Sequence, residues 1–98
     1  MLLPYHGGGM AAHYRTSLRR EIGDRLRQLR LKAGITSQEK LADLAGVHRT
    51  YVGRLERGDS GVTVDALAAI LAALPVSLAE FFRPFGSPIS PRTPRRRD

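Results

Sequence analysis

Residues 34–58 read GITSQEKLADLAGVHRTYVGRLERG, and the spacing of their apolar positions decides the fold. Leu41, Leu44 and Ala45 recur at helical intervals and predict one short helix from about Gln38 to Ala45. Its first free amides can be capped by Thr36 or by Ser37, with Glu39 three residues past Thr36 to complete a capping box. Val47, Val52 and Leu55 form a second stripe, which leaves His48, Arg49, Thr50 and Arg54 on the opposite side of that helix as a face of donors. Gly46 suits the tight turn between the two, and Gly58 stands where a helix ends in the left-handed region. Two short amphipathic helices about a tight turn form a helix-turn-helix, with its second helix free to read DNA.

Outward from this unit, Leu18, Ile22, Leu26, Leu29 and Ala33 step by four or three and predict a helix over Ser17–Ala33, closed by Gly34. Its other face carries Arg19, Arg20, Arg27 and Lys32, which read mostly as a solvated surface. On the C-terminal side, Thr63 with Asp65 opens a helix marked by Val64, Leu67, Ala68, Leu71 and Leu74. Pro75 stops it, since the residue before a proline is pushed out of the helical region. Ser77 and Glu80 form a second capping box, starting a short fifth helix that Pro84 ends near Phe82 or Arg83. All three Phe fall at Phe81, Phe82 and Phe85. Phe81 and Phe82 are adjacent, so they cannot both face one core. Either one of them meets a second subunit or both are half-buried.

The expectation is therefore an all-α domain over residues 17–85, between a flexible leader (1–16, with Pro4 and Gly7-Gly8-Gly9) and a disordered basic tail (86–98). Translation from Met10 is as consistent with the leader as translation from Met1. Ninety-eight residues hold one small domain, and the absence of Cys rules out disulfides and thiolate metal sites. His6 and His13 have no acidic or thiol neighbours in sequence, so no metal or cofactor is expected. The longest apolar run, Ala66–Leu74, is far short of the ~20 residues a membrane span needs, and no signal peptide opens the chain, which points to the cytoplasm. The formal charge of +7 implies a polyanionic partner; three of those units lie within Leu18–Phe85 and three within Gly86–Asp98. Fourteen of the 16 basic residues are Arg, as selection for phosphate and guanine contacts or a GC-rich genome would each produce.

The blocks Ile22-Gly23-x-Arg25-Leu26-Arg27-x-Leu29-Arg30, then Gly34, Ser37-Gln38-Glu39-x-Leu41-Ala42, Ala45-Gly46-Val47, Arg49-Thr50-Tyr51-Val52, Leu55-Glu56-Arg57-Gly58 and Val76-Ser77-Leu78-x-Glu80-x-Phe82 resemble the lambda-repressor-like, or Xre-type, helix-turn-helix regulators. The resemblance covers Ile22–Phe82 and implies a compact five-helix domain that binds double-stranded DNA, commonly as a homodimer and a repressor. By position in that family, His48, Arg49, Thr50 and Arg54 would face the bases, with His48 equally placed to cap the helix and Arg54 able to reach a phosphate instead. Arg30 would pair with Glu56 across the first and third helices. Two departures stand out: the Asp59-Ser60-Gly61 loop lacks the family's basic residues, and Gly34–Gln38 carries one extra residue.

Ser37 and Gln38, at a helix N-terminus, and Thr63 in the loop are the candidate phosphate contacts. Gly53, costly inside a helix, reads either as a close backbone approach to DNA or as drift at a tolerant site. Two functions follow: a transcriptional regulator, probed by selection of bound DNA, and an antitoxin or accessory subunit, which a neighbouring toxin gene would mark. Restriction-modification neighbours would mark a controller of such a system. The motif positions hold no nucleophile with a base, no metal cluster and no phosphate loop, so an enzyme is not expected.

Overall fold

A computed structural model describes residues 10–86, with backbone only for residues 10–13, and within them every regular element is a helix. The helices are α1 (Met10–Lys32), α2 (Gln38–Ala45), α3 (Arg49–Glu56), α4 (Val64–Ala73) and α5 (Leu78–Phe82). Residues 1–9, with His6, and 87–98, with the tail arginines, lie outside the described residues. The start of α1 corrects the leader: the helix begins at Met10, so residues 10–16 expected to be flexible are helical. Nothing in Met10–Thr16 breaks a helix, and Ala11 and Ala12 favour one; the lack of an apolar period there hid it.

Three helices end in the same way. After α1, Gly34 donates to the Leu31 carbonyl and Ile35 to that of Arg30; after α2, Gly46 and Val47 donate to Asp43 and Ala42; after α3, Gly58 and Asp59 donate to Leu55 and Arg54. Each is a Schellman closure about a glycine with φ between 74° and 80°, a conformation that a Cβ disfavours. The bends so fixed pack α3 against α1 and α2, α4 against α2, and α5 against α4. Leu26, Leu41, Val52, Leu55, Leu67, Ile70, Leu71 and Phe81 are fully enclosed, so every helix contributes to one core.

Some apolar positions turn the other way from expectation. Leu44 is 57% exposed and Ala42 takes its place inside, because α2 is pressed between α3 and α4 and its inner stripe is Leu41, Ala42 and Ala45. On α4, Val64 and Ala68 face outward and Ile70 is buried, while Ala33 lies in the exposed turn after α1. Phe81 is a further correction: it is wholly buried within the single chain, so it is not a surface contact. Successive helical side chains point about 100° apart, and turning Phe81 inward leaves Phe82 at the surface, 36% exposed. Arg25 of α1 fixes that choice by donating from Nε to the Phe81 carbonyl and from Nη2 to that of Glu80, both at 2.9 Å. The rings of Phe82 and Phe85 meet edge to face at 5.1 Å between centroids.

Candidate nucleic-acid interface

The inner half of α3 is fastened to the domain. Val52 and Leu55 enter the core, and Glu56 receives charge-assisted hydrogen bonds from α1: Arg30 Nε to Oε2 at 2.7 Å and Nη2 to Oε1 at 3.0 Å. Arg30 spends Nη1 on the Ile35 carbonyl at 2.9 Å, and α2 adds Gln38 Nε2 to Glu56 Oε1 at 3.0 Å. Arg30 and Glu56 are 4% and 7% exposed. A buried carboxylate is tolerable only with its lone pairs met by donors, and here three helices meet on one carboxylate.

This arrangement redirects two expectations. Gln38 does not stand free at the start of α2; its amide is held against Glu56. Gly53 is buried, and a methyl group there would lie 3.0 Å from Gln38 Oε1 and 3.2 Å from Arg57 Nη1. The close approach that Gly53 permits is thus that of α2 to α3. Glycine has a second packing role at Gly23, where a Cβ would collide with the Leu55 carbonyl oxygen and come within 2.8 Å of that of Glu56. That contact sets how closely α1 crosses α3.

The outer half is open. Arg49, Thr50 and Arg54 are exposed along α3. His48 is the N-cap, its Nδ1 accepting from the Thr50 amide at 3.0 Å. This fixes the ring with Nε2 left to donate outward. Ser37, not Thr36, caps α2, accepting from the Lys40 amide, which places the extra residue of that loop ahead of the cap. Thr63 caps α4, accepting from the amide of Ala66. In both caps the hydroxyl oxygen accepts and its proton stays available to an anion.

Three side chains that the sequence left in the background sit at or beside this face. Arg57 is one turn beyond Gly53 on the face of Arg49 and pairs with Asp59 at 3.0 Å; its spacing of four from Gly53 was the available signal. Glu39 lies 3.6 Å from Arg49. Gln38, Glu39, Arg49, Thr50, Gly53 and Arg57 line one shallow polar cleft. Arg19 of α1, expected to be solvated, lays its guanidinium over Gly61, within 3.2 Å of where a Cβ would be. Nothing in a linear pattern signals that contact.

Residues 26–81 match the helix-turn-helix family model HTH_3. The chain belongs to that family, the Xre or lambda-repressor-like regulators. It is 42% identical over 60 residues to the control protein C.BamHI of Bacillus amyloliquefaciens, covering 61% of this chain and 74% of that protein. It is also 45% identical over 42 residues to the control protein C.SmaI of Serratia marcescens, covering 43% of this chain and half of that one. Among solved structures, the restriction-modification controller protein C.AhdI of Aeromonas hydrophila superposes with a TM-score of 0.64 at 39% identity, over 67% of this chain and 98% of that one. The clp gene regulator ClgR of C. glutamicum gives 0.63 at 33% identity, over 67% of this chain and 83% of that one. As an HTH_3 protein the chain is a DNA-binding regulator of transcription. Among the described residues no helix is long and apolar enough to cross a membrane.

Proposed function

We propose that this HTH_3 protein is a controller that binds a near-palindromic operator as a homodimer, and that the genes it represses or autoregulates belong to a restriction-modification system. The observation that carries the reading is the division of α3: Val52, Gly53, Leu55 and Glu56 are buried while Arg49, Thr50 and Arg54 project. A helix held rigidly by one side and bearing donors on the other enters the major groove by its N-terminal part. Arg49 would fork onto guanine O6 and N7, Thr50 would hydrogen-bond or touch a thymine methyl, and His48 Nε2 and Arg54 would reach neighbouring bases or phosphates. Ser37 and Thr63 would set register by donating to phosphates. This is work for a binding protein rather than an enzyme, and it lies in the cytoplasm with the DNA.

Dimerisation is assigned to α5, where Leu78 and Phe82, four residues apart on one face, are 37% and 36% exposed. The restriction-modification assignment draws on the likeness to C.AhdI, which this chain matches over nearly that protein's full length. Selection from a random duplex pool is the test. The expected product is a two-fold site with half-sites about one helical turn, ~34 Å, apart, found upstream of adjacent restriction and modification genes. Enrichment of no duplex at moderate salt would end the reading.

A further inference from the structure

Glu39 puts a negative charge on the face assigned to a polyanion. Its part in the fold is small: it is the acid in the first turn of α2, where it complements the helix dipole, but Ser37 caps α2 through the Lys40 amide, leaving Glu39 one position short of a reciprocal capping box. Instead Glu39 Oε1 lies 3.6 Å from Arg49 Nη1, with the two side chains 62% and 66% exposed. Exposed pairs of this kind add little to stability. The helices the pair spans are already joined by the buried bonds of Gln38 and Arg30 to Glu56.

We propose that Glu39 is a positioning residue that makes Arg49 selective for guanine; the inference rests on the assignment of α3 to the major groove. A guanidinium has five N–H donors in a rigid fork. Contact through Nη1 leaves the Nε and Nη2 edge free, and that edge matches the paired O6 and N7 acceptors of guanine. Without the carboxylate, the long arginine stem can swing onto a phosphate, a contact that strengthens binding but carries no sequence information. The carboxylate resists that in two ways, by holding the guanidinium at the cleft and by repelling phosphate from its surroundings. The penalty therefore falls chiefly on complexes that lack the guanine.

The experiment compares full-length wild type, Glu39→Gln, Arg49→Ala and the double variant on three duplexes. These are the selected operator, the operator altered at the guanine where Arg49→Ala weakens the preference most without removing it, and random DNA. Glu39→Gln is expected to melt close to wild type, to bind random DNA more tightly, and to lose up to about fivefold in discrimination at that guanine, the most an exposed pair supplies. In the Arg49→Ala background the same change should cost no further discrimination. Unchanged discrimination in Glu39→Gln overturns the inference, as does an equal loss with Arg49 absent, which would make Glu39 a direct base contact. A wild type that selects no duplex overturns the groove assignment itself, and Glu39's role with it. Selection by wild type that Glu39→Gln leaves untouched sinks only the role of Glu39.

Discussion

Replacing Glu56 by Ala leaves Arg30 at 4% exposure with only the Ile35 carbonyl as acceptor, and it strips the Gln38 amide of its partner. Removing one member of a buried, hydrogen-bonded ion pair costs about 3 to 5 kcal/mol, because the surviving charge remains in a medium that solvates it poorly. A domain of this size holds roughly 4 to 12 kcal/mol in all, so the loss is a large share of the total. At about 4 to 8 °C per kcal/mol, the melting temperature should fall by at least ~12 °C. Glu56→Gln should also destabilise, since its amide nitrogen would turn a donor toward the donors of Arg30 or Gln38. The pair Arg30→Met with Glu56→Leu should recover much of the loss, because it removes both charges together. Thermal and denaturant unfolding at one fixed protein concentration measure each variant, the concentration being held so that the proposed self-association contributes equally to each. A Glu56→Ala protein melting within a degree or two of wild type would refute the reasoning, as would a coupling energy below about 0.5 kcal/mol in the double-mutant cycle.

Gly23→Ala should destabilise by about 1 to 3 kcal/mol or more, because backbone carbonyls of α3 cannot move aside as a flexible side chain would; denaturant midpoints decide it. Phe81→Ala should cost about 3 to 5 kcal/mol in stability, whereas Phe82→Arg should spare the fold and shift sedimentation toward monomer; a wild type that stays monomeric on its operator sinks the α5 interface. Deleting residues 86–98 should weaken binding to operator and random DNA alike and lower the salt slope by up to about 0.9 for each phosphate the tail neutralises. Arg49→Ala should instead erode preference for operator by about 1 to 3 kcal/mol; titrations of both variants on both DNAs at several salt concentrations separate gripping from reading.

The fold was legible because its signals are local: a cap at Thr36 or Ser37, which the structure resolves to Ser37, another at Ser77, glycine closures at Gly34, Gly46 and Gly58, and stripes such as Ile22, Leu26 and Leu29. The pairing of Arg30 with Glu56 came from the family resemblance rather than from periodicity, since residues 26 apart carry no mutual pattern. What stayed hidden depends on how helices face one another. Ala42 rather than Leu44 turns inward because α2 has two neighbours to meet, and the choice between Phe81 and Phe82 is made by Arg25, more than fifty residues away. Gly53 showed itself as an anomaly, but only the approach of Gln38 gives its cause. Arg57 and Glu39 were overlooked because one was absorbed into a motif and the other into a cap.

The split of α3 into a fastened half and a free half also bears on how such a protein can change. Because the buried network closes on Glu56 without using Arg49, Thr50 or Arg54, those three positions can be rewritten at little thermodynamic risk. On the proposed reading, a new operator is then within reach of a few substitutions, while the geometry that presents them passes unaltered from one version to the next. The position that does not share this liberty is His48, which belongs to both halves: it starts the helix and stands at its exposed end. A library that varies the three outer residues and leaves His48 in place should therefore yield mostly folded proteins, and on the proposed reading proteins with altered preferences, which makes this scaffold a practical chassis for building orthogonal DNA-binding regulators.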